Sequence, residues 1–391
     1  MKSICSCLFN FTKISLFLIP ICLLYGEEES NKPLTFFGEL YTEAAASLHE
    51  PFSGKEITSD YFGYNGVTSF ELDAIAGDLQ NAKIDVSVIF KLLYGDNAKA
   101  INSGVTGNTS AYSPIIITNS DGVAMTTEIK KLYLSVFTEY MDIFLGRMII
   151  NYGRGTIFSP VDLFATVDII DIDFGRIGTD AARILIPFSA VSGIDVITTL
   201  VPAVDEFTTG ARGFGNINGW DLGFSVFRDA RNVFDDWALD LGFDFKGDLF
   251  VGVYGELLVS IPWESGSALT NNTVCSVMAG IDYSISGLWF FDIEYMVNFG
   301  STNYRSGTFR GDHNLFASVS RKIDDATMLT VNSIINILDE AWQGTFSFSK
   351  NIASNTNLLG YLIYRSGNIE QRFMYDVGQT LAFALRVSVA F

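Results

Sequence analysis

Apolar and polar residues take turns along most of this chain, with a period of two. Near the C-terminus Leu381, Phe383, Leu385, Val387, Val389 and Phe391 share one parity, and Thr380, Ala382, Ala384, Arg386, Ser388 and Ala390 share the other. Successive strand residues point to opposite sides, so this spacing predicts a strand with one greasy face and one small or polar face. The same pattern sets Trp289, Phe291, Ile293, Tyr295, Val297 and Phe299 against Asp292, Glu294 and Asn298. It also sets Trp237, Leu239, Leu241, Phe243 and Phe245 against Asp240 and Asp244, and Ile84, Val86, Val88 and Phe90 against Asp85, Ser87 and Lys91. Taken along the whole chain it predicts strands at 34–44, 66–78, 81–94, 124–138, 141–152, 180–187, 192–201, 206–213, 217–227, 235–245, 249–261, 273–285, 288–299, 312–321, 326–338, 341–350, 356–366 and 379–391.

A soluble sandwich would alternate too, with its apolar face inside. Three features favour the opposite sense. Many predicted strands run about 10–13 residues, long enough for a tilted membrane strand of about 9–11 and well beyond the about 5–6 of ordinary strands. Aromatic residues gather near strand ends on the greasy face, as in interfacial girdles. Isolated carboxylates sit on the polar face, where a dry core would not tolerate them. The fold expected is therefore an all-β, transmembrane antiparallel β-barrel of about 18 strands, with 16 as the alternative if the Gly- and Thr-rich pair 206–213 and 217–227 does not form. Short links near 78–81, 139–142, 246–248, 285–287, 322–325 and 350–355 alternate with longer ones near 46–65, 95–121, 153–179, 262–273, 300–311 and 367–378. Short periplasmic turns and long outer loops are the usual asymmetry of such barrels.

Composition supports this reading. The 391 residues are 48% apolar and include 33 Phe and 16 Tyr, yet no mature segment has the roughly 18 consecutive apolar residues of a membrane helix. Lys2 and Lys13, the apolar run from Ile14 to Tyr25, and Gly26 ahead of three glutamates read as a secretory signal over 1–26, leaving 27–391 as a single barrel domain. Removal of that leader takes Cys5, Cys7 and Cys22 and leaves only Cys275, so no internal disulfide is expected. His49 and His313 stand far apart with no cysteine cluster, so neither a metal nor any other cofactor is expected. The net charge of −19 disfavours nucleic acid as a partner. No Gly-x-Ser-x-Gly or comparable nucleophile context occurs, so an enzyme is not expected.

With about 16–18 strands the lumen is wide enough for water unless something fills it. The segment 153–179 is long yet apolar, holding Phe158, Val161, Leu163, Phe164, Val167, Ile169 and Ile170, and such a loop should pack against something. Folding into the barrel to form a constriction is the sharper expectation; packing among the outer loops is the plainer one. Alternation places Arg147 and Asn151 on the lumen face, opposite Phe144, Met148 and Ile150, with Arg154, Asp162, Asp171, Asp173, Arg176, Arg183 and Arg212 nearby as constriction candidates. The rest of the lumen reads as acidic: Glu39, Glu43, Glu71, Asp73, Asp85, Asp195, Asp221, Asp240, Asp244, Glu256, Asp282, Asp292 and Glu294. Carboxylate rings favour cations and arginine clusters favour anions. Arginines facing carboxylates across the constriction would set up a transverse field; otherwise these charges are solvated or paired on the wall.

The run Leu145-Gly146-Arg147, then Asn151-Tyr152-Gly153, then Phe158-Ser159-Pro160-Val161-Asp162-Leu163-Phe164 resembles the strand-and-loop signature of porins in the broad alginate-export and phosphate-selective group. Gly210-Ala211-Arg212 and Gly219-Trp220-Asp221-Leu222-Gly223 resemble the next hairpin of such porins. The resemblance covers roughly 130–230 and implies a water-filled outer-membrane channel for small hydrophilic solutes or ions, passive or weakly selective. An adhesin or structural barrel, or a transporter of hydrophobic substrates, are the alternatives. Expected partners are the outer-membrane lipid, the barrel-assembly machinery acting on the last strand with Phe391 as its insertion signal, and the solutes; homo-oligomerisation remains open.

Overall fold

Alternation of this length, repeated between short turns, has one way to satisfy every backbone group without an edge, which is to close on itself. The computed structural model describes residues 34–52, 61–78, 81–96, 98–99, 115–120, 122–164, 176, 178–201, 206–230, 237–263, 273–300, 311–338, 340–367 and 379–391. The leader expected at 1–26 lies outside the described residues. In chain order the strands are β1 (Leu34–His49), β2 (Phe62–Gly77), β3 (Ala82–Gly95), β4 (Ile115–Ser120), β5 (Val123–Phe137), β6 (Asp142–Met148), β7 (Thr179–Ser189), β8 (Ser192–Thr199), β9 (Thr209–Ile217) and β10 (Trp220–Asp229). They continue as β11 (Trp237–Asp248), β12 (Gly252–Trp263), β13 (Val274–Ile285), β14 (Trp289–Phe299), β15 (His313–Asp324), β16 (Thr327–Asn336), β17 (Ala341–Ala353), β18 (Thr356–Ser366) and β19 (Thr380–Ala390).

All nineteen belong to one sheet. Eighteen form the ring, each antiparallel to its chain neighbours, and β4 stands outside that succession by pairing with β5 alone. The ring shuts where β1 meets β19, with Glu39 opposite Ala390 and His49 opposite Thr380. Phe391 extends this seam by exchanging two 3.0 Å backbone hydrogen bonds with Gly38, and its ring stacks on Phe70 at 5.9 Å. The weak pair of the sequence reading does form, as β9 and β10. Asn218 and Gly219 join them with φ of 53° and 85°, the left-handed pair that a two-residue hairpin needs.

The polarity is inverted relative to a soluble protein. On β19 Phe383 is 54% exposed while Arg386 is 5% exposed, and on β14 Ile293 is 45% exposed while Glu294 is fully buried. The greasy parity thus faces outward and the polar parity inward, the arrangement suited to hydrocarbon outside and water inside. Stacked aromatics mark both rims of this outer surface, with Trp237 on Trp263 at 5.0 Å at one end and Trp289 on Phe291 at 6.1 Å at the other.

Four local expectations need correction. β1 runs on to His49 rather than ending at 44, and β11 continues through Asp248, which moves the tight link to 249–251. The link 95–121 contains β4, and β6 stops at Met148 instead of running to 152. The last two are connected. β6 covers the edge of β5 only from Phe137 to Leu132. Beyond it Gly178 donates to the Lys130 carbonyl at 3.2 Å, Arg147 donates to the Ile129 carbonyl at 3.0 Å, and β4 takes the edge from Thr127 to Val123.

Candidate functional site: an inward loop docked on the wall

Past Met148 the chain turns into the lumen. Two glycines let it bend close to its own backbone: a side chain at Gly153 would strike the Ser159 hydroxyl, and one at Gly155 would strike the Phe158 carbonyl oxygen. Pro160 then sits at the second position of a turn closed by Asp162 N donating to Ser159 O at 3.3 Å, the place where a fixed φ is favourable. The loop packs in two places. Tyr152, Val161, Leu163 and Phe164 join Met148, Ile197, Phe227 and Leu258, while Ile157 and Phe158 reach the farther wall at Tyr254, Met278, Met296, Phe316 and Ile334.

Polar docking is done by two buried wall carboxylates. Glu256 accepts from Arg154 N at 2.5 Å, Gly155 N at 3.1 Å, Val161 N at 3.2 Å and the Ser159 hydroxyl at 2.9 Å. Glu294 accepts from Thr156 N, from Ile157 N at 3.1 Å and from Phe158 N at 2.8 Å. Successive backbone N–H groups make a concave anion site, and here the anion is supplied by the barrel itself. Asp292 accepts from the Thr156 hydroxyl at 2.7 Å, and the Tyr254 hydroxyl donates to Asp292 and Glu294 at 2.5 and 3.0 Å.

The arginines close the same dock. Arg154 Nε donates to Asp244 at 2.7 Å, with Asp221 3.9 Å away, and Arg212 donates to Asp244 at 2.8 Å. Arg183 pairs with Asp195 at 2.7 Å, and Asp195 also accepts from the Tyr152 hydroxyl at 2.9 Å. Burial and that carboxylate push the Tyr152 phenol above its ordinary range. Arg176 lies 3.9 Å from Asp162, whose carboxylate also accepts from Tyr152 N at 3.5 Å. Asn151 is exposed and accepts from Gly153 N at 3.0 Å. Asp171 and Asp173 lie outside the described residues. Arg154, Arg183 and Arg212 thus meet their carboxylates at contact distance instead of facing them across a gap, because a buried guanidinium without a close partner costs several kcal/mol.

Arg147 takes a different place from the one strand parity suggested. Its register partners are Leu132 and Asp180, and it shares the parity of exposed Leu145, whereas Phe144 and Met148 pack inward. It donates to both Asp180 oxygens at 2.8 and 2.9 Å and fills the seam left by β6.

Among the described residues, the loop touches β5 only near Tyr133, and ion pairs descend toward the short-turn side along the wall made by β1, β2, β3, β5 and β19. They are Arg386–Glu43 at 2.8 Å, Lys130–Glu71 at 2.8 Å, Lys131–Asp73 at 3.0 Å and Lys83–Asp85 at 3.1 Å. Arg386 also lies over the Tyr41 ring at 4.5 Å. Glu39 is set opposite Glu71 in the register. Elsewhere Asp282 pairs with Lys246 at 3.3 Å, and Asp240 is fully buried opposite Phe227 and Ser260.

The lysines were not among the sequence candidates. Ser87 faces Lys131 and Val88 faces Ile129, so Lys130 is the extra residue of a β-bulge. The bulge turns both neighbouring lysines toward the lumen. A signal was present: strict alternation would have left one of two adjacent lysines in lipid, which is costly enough to imply an irregularity there.

A Gly155→Ala change tests the dock. Its methyl group would meet backbone and come within 2.8 Å of Met278 Cε, so the tip must shift. A loss of about 1–3 kcal/mol is expected, read as a lower thermal midpoint in detergent together with noisier channel currents.

No known family's sequence pattern matches the chain, and no curated protein matches it. Solved structures do. Pseudomonas aeruginosa OccK9 (OpdG) matches with a TM-score of 0.59 at 10% identity, covering 92% of this chain and 98% of its own. A BenF-like porin from Pseudomonas fluorescens Pf-5 gives 0.60 at 8% identity over the same shares. Acinetobacter baumannii OccAB4 gives 0.57 at 7%, covering 93% of this chain and 99% of its own. The barrel has the fold of these channels. At such identities the likeness speaks for the fold alone. It gives no support to the alginate-export or phosphate-selective part of the sequence resemblance.

Proposed function

We propose that this chain is an outer-membrane porin that passes small hydrophilic solutes or ions by passive, weakly selective diffusion. The observation that carries the reading is the docked loop: its described residues are held to one part of an inverted-polarity barrel, and the row of ion pairs on β1, β2, β3, β5 and β19 lies on another part of the wall. The similar porin structures support it. In this reading residues 1–26 serve as the export leader, cleaved near Gly26, and the strand ending in Phe391 is handed to the barrel-assembly machinery. Solutes would follow this wall, where each of the four cations is held beside an anion and Glu39 adds a further carboxylate.

Planar-bilayer recording tests this. The purified full-length mature protein should give stable unitary steps, and silence from folded, inserted protein would overturn the reading. Neutralising the bulge with Lys130→Gln and Lys131→Gln removes two cations and leaves Glu71 and Asp73 in place. Cation over anion permeability should then rise roughly threefold, seen as a shifted reversal potential in a salt gradient. An unshifted potential would take the bulge out of the conduction path.

A further inference from the structure

We propose that the luminal face at the short-turn end of β13 to β18 holds a binding recess for neutral polyhydroxylated solutes of sugar type. The inference deepens the porin reading by naming a solute class, but the recess itself is argued from its own lining.

The cavity there measures about 370 Å³, within the about 300–1,000 Å³ common for small-molecule sites. Its lining is ordered by the sheet register. Ser284, Phe290 and Ser320 stand side by side on β13, β14 and β15, and Lys322, Met328 and Ser349 form the next row. Asn351 and Asn357 complete it on β17 and β18. All of these share the inward parity, the one carrying Asp292 and Ile334, and not the outward parity of Ile293 and Val331.

The chemistry differs from the rest of the lumen. Phe290 is an aromatic on the water side, 39% exposed, although the neighbouring wall is polar. Around it the recess offers serine hydroxyls and side-chain amides. Asn357 donates to Ser349 and Asn351 at 3.0 and 2.9 Å and its carbonyl accepts from the Ser349 hydroxyl at 3.4 Å, which fixes the orientation of the amide. The charges at the rim are engaged locally: Lys322 pairs with Asp325 at 2.8 Å, and Asp324 accepts from Ala326 N at 2.8 Å. An aromatic face beside hydroxyl and amide groups, without a committed charge, suits a ring that is apolar on its faces and rich in hydroxyls at its edge. A charged solute finds Lys322 and Asp325 paired with each other and Asp324 held by the Ala326 N–H, and it gives up hydration to enter.

Saturation-transfer difference NMR on the full-length protein in detergent micelles tests this without requiring conduction. Maltose is the neutral probe, with glucuronate and glucosamine, pyranose rings of opposite charge, as its charged comparisons. Maltose should give ring-proton signals at least fivefold above either charged probe. Phe290→Ala and Asn357→Ala should each cut those signals at least threefold, while Phe290→Trp, which keeps an aromatic face, should retain them. Equal signals from the three probes, or maltose signals unchanged in both alanine variants shown to be folded by electrophoretic mobility, would overturn the assignment. Failure here leaves the porin reading standing, and a protein that binds maltose but does not conduct would sink only that reading.

Discussion

Replacing Glu256 and Glu294 together with alanine is expected to about double the single-channel conductance or more, since an 18-strand lumen is wide once its loop is loose. Seven loop groups donate to these two carboxylates: Arg154 N, Gly155 N, Val161 N and the Ser159 hydroxyl to Glu256, and Thr156 N, Ile157 N and Phe158 N to Glu294. A hydrogen bond to a charged acceptor is worth about 1.5–3 kcal/mol, so losing the equivalent of two shifts the docked-to-free ratio by at least roughly a hundredfold. The apolar contacts of Ile157 and Phe158 remain, and the loop should therefore flicker rather than stay out. Bilayer recordings should show larger, noisier steps. A Glu256→Gln change keeps one acceptor oxygen but turns an amide toward N–H donors, and it should fall between wild type and the double variant. Wild-type conductance in the double alanine variant would show that the loop is held by its apolar contacts alone.

The second large effect concerns the outer wall. Ile293→Arg should cost about 2–4 kcal/mol, because it places a guanidinium on the hydrocarbon side near the middle of β14. Ser318→Arg should cost far less. Ser318 lies directly opposite Asp292 on the luminal side, where water and a carboxylate receive the charge. Urea titration of folding into lipid vesicles would measure both. Equal losses would mean that the two faces do not differ in environment, and a larger loss for Ser318→Arg that they are assigned the wrong way round.

The barrel was legible because its two faces differ so strongly. Ile293 beside Glu294, or Leu385 beside Arg386, leaves no doubt about the period, and each expected strand forms. Phe158, Val161, Leu163 and Phe164 made the loop too apolar to be left in solvent, and all four are buried. What hid from the sequence was whatever breaks the period. Gly146, with φ of 123°, stands just before Arg147 and β6 ends just after it, where Arg147 turns into a seam, and an alternation count run on to 152 with Phe144, Met148 and Ile150 taken as outward placed it on the lumen face. The bulge at Lys130 concealed two luminal cations for the same reason. The docking partners of the loop were also out of reach. Glu256 and Glu294 looked like any other wall carboxylates, and only the folded ring shows that their anionic oxygens are spent on backbone N–H groups about a hundred or more residues earlier in the chain.

β4 has a consequence for how freely this barrel can be trimmed. Because β6 leaves the wall at Met148, the upper stretch of β5 would otherwise end in bare donors and acceptors, like a barrel stave with no neighbour. Cutting out β4 would therefore nick the hoop rather than merely prune it. Bare strand edges recruit strands from other molecules, so the shortened protein should be prone to stick to its own copies before it ever reaches a bilayer.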